Sequence, residues 1–567
     1  MKFIPLFIIC LTACLLCIDT TNRLSFHWLT TPILTAFLFS WPTTYLPHRV
    51  RGIVQFLIGV FVVIVCLVDC YCQEYFSTVI TPQILSNVIL SDARESHEFF
   101  STFIGFHVFS NWRITALIVL SITLPVVFSY LYIPICKKKT KYIGSVILCI
   151  CLICEIPATY RYSQLFFIHD DLQMMEGLVF RHFHDELSTP VHRLAFSYYS
   201  LRQSSHALEK IKRSTFSAKI DNCSYQSSHI VLVIGESYNK HHSSLYDYEL
   251  QTTPLQQKWV EKGEMFVFKD VVTPWNITCN VFLDVFSLYE YGMNEEKSEM
   301  PLFPILFRRA GYSVNFFSNQ FLLRGLRKGA TTHTGHFFLT DKEMSDSIFT
   351  YRNMKSSKFD LGLVKQINNH RMELNGENNT LDIIHLIGQH FNYSMRYPES
   401  ESKFHENDYA NRNIDIDAKH ILMQYDNATY YNDMVLDSIL SIYKYEDAII
   451  VFVADHGEEV YDDNRTYGRL FQEPTALQAR YEFEVPMWIW CSEKYRQCHP
   501  NVISHIKQAV NKPFMIDGLP QLLLSLAGIS CPWNDERRNL LSPNYQCKKR
   551  IITGDKDYDK LISSEKY

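Results

Sequence analysis

A five-helix membrane bundle followed by an α/β domain, with a mostly parallel central sheet flanked by helices, is the fold class this 567-residue sequence predicts. Three observations carry that prediction. Charge is split unevenly, because residues 1–160 hold only 17 of the 113 Asp, Glu, Lys and Arg side chains. Five apolar stretches lie within the same 160 residues, as expected where the solvent is a bilayer. Beyond residue 228, short β-branched runs alternate with helical patterns, the mark of strands buried on both faces of a parallel sheet.

The apolar stretches run over about 3–18, 24–47, 52–70, 113–136 and 141–158, and define a transmembrane domain over 1–160. The first carries no charge and the second includes His27; Gly52–Val68 and Ile114–Cys136 are clean and approach or exceed the ~17–25 residues of a spanning helix. Within the fifth, the uncharged run Tyr142–Cys154 is short and stops at Glu155. A cleaved signal peptide is the alternative for 3–18, but other spans follow closely and no clear small-x-small cleavage site stands out. Arg49 and Arg51 lie between spans two and three, and Lys137, Lys138, Lys139 and Lys141 between spans four and five. Basic loops stay cytoplasmic, so both loops face inward and the 71–111 segment, with Glu74, Asp92, Glu95 and Glu98 against Arg94, faces outward. An odd number of spans then delivers everything after residue 160 to the outer side.

Ten of the sixteen cysteines fall before residue 160, mostly in apolar runs, where Cys behaves as a small hydrophobe. The other six, Cys223, Cys279, Cys491, Cys498, Cys531 and Cys547, are an even number suited to disulfides in an oxidising compartment. Net charge is −5 with no long basic run, which argues against nucleic acid as a partner. Residues 161–227 mix aromatic and charged groups, among them Phe180 to His184 and Tyr198-Tyr199. Linker helices lying at the bilayer surface fit that pattern, and so does an ordinary packed linker.

The domain over 228–567 carries the chemistry. The run Ile230–Ile234 leads into Gly235-Glu236-Ser237, Leu381–Ile387 into Gly388-Gln389-His390, and Ala448–Val453 into Ala454-Asp455-His456-Gly457. Each is a buried-type strand that ends in a metal-competent group beside Gly. Sites in open α/β sheets form at the carboxyl ends of strands, so three such ends can converge on one metal or phosphate. Singly, each acid is more ordinarily a helix cap or a solvated turn, and His385 a satisfied core histidine. A fourth element, Val271 to Thr278, leads into the helical pattern from Val281 onward and places Thr278 near a helix start, where backbone N–H groups favour a phosphate. A simple capping role for Thr278 fits the same pattern.

At these residues the sequence resembles the membrane-bound phosphoethanolamine transferases of the alkaline phosphatase/sulfatase superfamily. The matching stretches are Gly235-Glu236-Ser237, Leu245-Tyr246-Asp247-Tyr248, Thr252-Thr253-Pro254, Ser318-Asn319-Gln320, His385 to His390 with Arg396-Tyr397-Pro398, Tyr425-Asp426-Asn427, and Asp455-His456-Gly457-Glu458-Glu459. They run in the family's order over about 228–490. The resemblance implies an alkaline-phosphatase-like catalytic domain on the periplasmic side of a bacterial inner membrane. It makes Thr278 the catalytic nucleophile, and Glu236, Asp455 and His456, with the Thr278 oxygen, the ligands of one Zn2+. Coordination would lower the pKa of the Thr hydroxyl, and an oxygen-rich set also suits Mn2+ or Mg2+. His385 and His390 would hold the donor phosphate or assist proton transfer, and Asn319 would line the pocket. The implied activity passes phosphoethanolamine from phosphatidylethanolamine to a lipid-linked glycan, lipopolysaccharide core or lipid A, through a phosphothreonine, in a monomer.

Two departures stand out. Lipid A-modifying members carry a further His soon after Asp-His-Gly, whereas no His lies between His456 and His499 here. Tyr467-Gly468-Arg469 stands there instead, which looks like the branch that modifies core sugars and gives Arg469 an anion-binding role. Cys491 with Cys498, and Cys531 with Cys547, are the disulfide pairings considered. Among competing readings, a sulfatase activity needs Cys or Ser followed by x-Pro-x-Arg, which Cys279 to Leu283 lacks. A glycerol-phosphate transferase of the lipoteichoic-acid-synthase type shares five spans and a Thr nucleophile. A non-catalytic membrane receptor or scaffold with a decayed site would first lose the ligands that this chain keeps.

Overall fold

The computed structural model describes residues 3–18, 27–76, 78–82, 84–85, 88, 111–130, 138–167, 175, 178–179, 187–320, 337–374, 379–462, 467–469 and 474–564. The described residues fall into two compact units, one within Met1–His206 and one from Ala207 onward.

Helices in the first unit are α1 (Ile4–Leu16), α2 (His27–Ser40), α3 (His48–Phe76), α4 (Trp112–Tyr130), α5 (Lys138–Leu165) and α6 (Pro190–Ser217), which runs on into the second unit. The first five lie where the apolar stretches do. One helix, Arg49–Phe76, is long and apolar enough to cross a membrane by length and composition, and Ile4–Leu16 and Trp112–Thr123 are shorter apolar helices. Expected and observed ends differ for physical reasons. The stretch 24–47 stops being α-helix at Ser40, because Pro42 opens a separate 3-10 turn over Pro42–Tyr45. Glu155 does not end the fifth helix. Its buried carboxylate accepts hydrogen bonds from Thr30 and Thr31 of α2, so the chain stays helical through Pro157 to Leu165. Residues 24–26, 131–137, most of 71–111 and Phe180 to His184, discussed above from the sequence, lie outside the described residues.

One ion pair fixes α3 to α6. Asp69 and Arg193 are both fully buried; Arg193 donates from Nε (3.0 Å) and Nη2 (2.5 Å), and Asp69 also accepts from the Ile80 amide and Gln73 Nε2. Removing one partner of such a pair leaves an uncompensated charge. Arg193→Ala is therefore expected to destabilise the protein by about 3–5 kcal/mol, and Asp69→Leu with Arg193→Met by much less. Thermal unfolding of the detergent-solubilised variants checks this, and equal losses in both would contradict it.

The second unit is built on a seven-stranded sheet. In chain order the strands are β1 (His229–Gly235), β2 (Met265–Phe268), β3 (Ser313–Ser318), β4 (Tyr351–Arg352), β5 (Thr380–His385), β6 (Ala448–Ala454) and β7 (Met487–Cys491), and in space they lie β2-β7-β6-β1-β5-β3-β4. Every pair is parallel except the two made by β7, which is antiparallel to both β2 and β6. The sheet is thus mixed but mostly parallel. β1, β3, β5 and β6 are buried along their whole length, and β1 from Ile230 and β6 read as unbroken apolar runs, whereas β3 and β5 carry Asn315 and Asp382, which hydrogen-bond each other. Register places Gly235 opposite Ala454 and Ile234 opposite His385. Glu236 and Asp455 therefore leave neighbouring strands side by side, with His385 on the strand beyond.

The disulfides considered from sequence do not form. Cys491 closes a buried strand whereas Cys498 ends an exposed helical turn, and Cys531 is buried whereas Cys547 is exposed; none of the six is bridged among the described residues. Cys279 is a buried thiol beside Asn280.

Candidate metal centre

Thr278 is the first residue of a helix, Thr278–Phe286, with Ile277 as its N-cap. Its hydroxyl does not cap that helix. It lies 3.2 and 3.4 Å from the two carboxylate oxygens of Glu236 and 3.1 Å from His456 Nε2. Glu236, Asp455 and His456 are fully buried, and each offers a ligand atom within 4.8 Å of the others.

The local backbone explains how these side chains meet. Ser237 takes φ +54° in the left-handed region, and its amide donates to Asp455 Oδ1 (3.1 Å) while its carbonyl accepts from Tyr425 Oη (2.6 Å). Gly457 lets the chain pass close by, since a Cβ there would lie 2.0 Å from the Tyr481 carbonyl oxygen. Gly388, at φ +44°, leaves a Cβ position only 2.9 Å from the Glu236 carbonyl oxygen. Asp360 holds this turn by accepting from the Ile387 and Gly388 amides.

Charge in the cluster is unevenly shared. Burial opposes ionisation of Glu236, but the imidazoles of His385 and His390 beside it hold it well below the usual carboxylate range. Burial, reinforced by the adjacent negative Glu236, pushes Asp455 well above it. Burial and then Arg469 bring His456 down to about 3, so its imidazole is neutral. His456 Nδ1 donates to the Gly457 carbonyl (2.8 Å), which leaves the Nε2 lone pair facing the cluster.

A divalent cation fits these residues. Asp455 Oδ2 is buried without a hydrogen bond and lies 3.2 Å from His456 Nε2. A buried acceptor, a neutral imidazole lone pair and an ionised carboxylate are the donor types zinc takes.

The remaining sequence candidates divide. His385 is buried, with Nε2 3.7 Å from Glu236 Oε2 and its ring against Phe282. His390 is half-buried and close enough for its charge to act on Glu236 and His456. Arg469 is in the site: Nη1 lies 2.8 Å from His456 Nε2 and donates to the Asn276 carbonyl, and Nε is 3.8 Å from Glu458 Oε2. Asn319 stands one step back, donating to Asp360 and accepting from the Ser357 amide. Sequence reasoning missed its neighbour Gln320, whose Nε2 donates to Glu236 Oε2 (3.0 Å) and to the Leu386 carbonyl (3.1 Å). The signal was the Ser318-Asn319-Gln320 stretch itself, read one residue short.

Beneath the site a buried histidine ties the loop after β1 to that after β6. His242 lies 2.7 Å from Asp426 and 3.3 Å from Asp462, and Asn239 bridges Asp462 to the Glu458 carbonyl. Burial alone would depress His242, but the two carboxylates outweigh it and push it up to about 10 from an ordinary 6.5. Its stabilisation, on the order of a few kcal/mol, is therefore full below pH 6.5 and lost as pH rises toward 10. Thermal midpoints should fall across that interval in the wild type and fall less in His242→Gln; parallel pH profiles would contradict this.

The sulfatase family model matches residues 228–529. The chain belongs to the sulfatase family. Within that family it is similar to phosphoethanolamine transferase EptC of Escherichia coli (strain K12), 28% identical over 367 residues that make up 63% of this chain and 61% of the relative. This chain thus spans about three fifths of the length of the curated relatives it matches. The crystal structure of the C-terminal periplasmic domain of EptC from Escherichia coli in complex with Zn shares 27% identity and a TM-score of 0.52, over 62% of this chain and 97% of that one. The integral membrane protein lipooligosaccharide phosphoethanolamine transferase A from Neisseria meningitidis is 18% identical with a TM-score of 0.59, over 95% of this chain and 97% of that one, a likeness of fold. The alkaline-phosphatase-like α/β domain expected from the sequence is the one found.

Proposed function

We propose that this protein is a zinc-dependent transferase that takes phosphoethanolamine from phosphatidylethanolamine and passes it to a lipid-linked glycan, lipopolysaccharide core or lipid A, through a phosphothreonine at Thr278. The observation that carries this reading is the Thr278 hydroxyl, set at a helix start against Glu236 and His456. The relatives' names and the zinc complex of the EptC domain support it.

Glu236, Asp455 and His456, with the Thr278 oxygen, would hold the ion. When bound, zinc would supply Lewis-acid charge that acidifies the Thr278 hydroxyl and offsets negative charge on the phosphoryl group. Thr278 Oγ1 attacks phosphorus, the diacylglycerol oxygen leaves, and the acceptor hydroxyl later displaces Thr278. Amides at the start of the Thr278–Phe286 helix and the guanidinium of Arg469 provide donors for phosphoryl oxygens. His385, at the end of β5, and His390, on the turn after it, would hold the donor phosphate or hand a proton to the leaving oxygen. Gln320 keeps Glu236 oriented, and Asn319 acts through Asp360 on the Gly388 turn.

Five spans over 3–18, 24–47, 52–70, 113–136 and 141–158 would anchor a monomer in the inner membrane with the 228–567 domain in the periplasm. Donor and acceptor are both lipids in this reading, so confining the site to the bilayer surface raises their effective concentration. Mass spectrometry of envelope glycolipids from cells with and without the protein tests the reading. A phosphoethanolamine-bearing species that depends on the protein is expected; glycerol-phosphate adducts in its place, or no difference, would contradict it.

A further inference from the structure

Two neighbouring helices of the amino-terminal unit carry a ladder of thiols that the proposed transfer does not use. Cys14 and Cys17 stand three residues apart at the carboxyl end of α1, and Cys66 and Cys70 four apart on α3, so each pair shares one helix face. All four are 0–1% exposed. Across that interface Cys70 Sγ is 3.4 Å from Cys17 Sγ. The end of α1 is held in place against α3, since Gln73 Nε2 donates to the Cys17 carbonyl (3.0 Å) and the Cys17 thiol donates to the Cys66 backbone carbonyl (3.2 Å). Single cysteines in apolar helices fill space. Two whose sulfurs touch across one helix interface make a dithiol site.

We propose that Cys17 and Cys70 are a peroxide-sensitive pair that closes into a disulfide joining α1 to α3. The sulfurs are in contact, and closure to a bond of about 2.05 Å needs only a small approach of two packed helices. The oxidant is a small neutral peroxide, which can enter a buried interface where a protein disulfide cannot. One thiol is oxidised to a sulfenic acid as the peroxide O–O bond breaks and one water leaves. The second thiol displaces the sulfenic oxygen as a second water, forming the S–S bond. Two thiols thus give two electrons to one peroxide, and the product ties together chain segments 53 residues apart.

Full-length protein in native membranes should be exposed to hydrogen peroxide, denatured, alkylated and digested without reductant. The Cys17 peptide is expected joined to the Cys70 peptide, separating on reduction, and the oxidised protein should unfold at a higher temperature than the reduced one. In Cys70→Ser the link should move to Cys17–Cys66, the adjacent rung. Cys17 and Cys70 both recovered fully alkylated, or oxidised singly to sulfinic acids, would overturn the proposal. Because the readout is thiol state rather than transfer, its failure is distinguishable from failure of the transferase reading.

Discussion

Thr278→Ala is expected to lower phosphoethanolamine transfer by at least about 10^4-fold, the scale on which removal of a covalent nucleophile acts. The substitution leaves the fold intact, because Thr278 is half-exposed, Ile277 caps the helix, and Val281, Phe282 and Phe286 anchor it in the core. Thr278→Ser restores the oxygen and should recover part of the rate. Neighbouring hydroxyls and thiols offer no substitute. Thr273 donates to the Trp275 carbonyl and is fully buried, and Cys279 turns into the protein beside Asn280. Steady-state transfer by the purified variants, with circular dichroism to verify folding, measures this; near wild-type turnover in Thr278→Ala would contradict it.

The second large effect is expected at the ligands. Asp455→Asn and His456→Ala should weaken zinc binding by more than the ~10–100-fold that loss of a supporting residue costs, and abolish activity with it. Asp455 Oδ2 is buried without a hydrogen bond, so the variant alters a carboxylate whose second oxygen is left for the ion. His456 presents a neutral nitrogen lone pair that Ala cannot replace. His390→Ala is the contrast, since a residue that touches phosphate rather than metal should retain zinc while losing rate. Metal titration with metal quantification on purified protein separates these outcomes, and unchanged zinc affinity in both ligand variants would contradict the assignment.

Much of this site was legible in the sequence because parallel strands write their burial plainly. β1 and β6 cannot alternate apolar and polar residues, so each appears as a continuous apolar run followed by a polar group, and β5 departs from that pattern only at Asp382 before it ends in His385. Glu236, His385 and Asp455-His456 were found that way. The role of Asn319 was not legible, because its amide is spent on Asp360, 41 residues away, and only the folded chain reveals which polar neighbour is nearer. Gln320 reaches Glu236 across 84 residues for the same reason. The even count of six cysteines suggested bridges, but pairing depends on separation in space, and Cys491 ends up inside the sheet while Cys498 faces solvent. At the other end of the chain, apolar composition carried the second stretch past Pro42, where the backbone could not continue as one helix.

The central claim, a covalent phosphothreonine, is tested most directly by holding the reaction at its first half. Purified zinc-loaded protein incubated with phosphatidylethanolamine and no acceptor should gain one phosphoethanolamine per chain by intact mass. Peptide mapping should place it on the peptide containing Thr278, with diacylglycerol released in equal amount. An adduct on any other residue, or diacylglycerol released only when acceptor is present, would contradict the account.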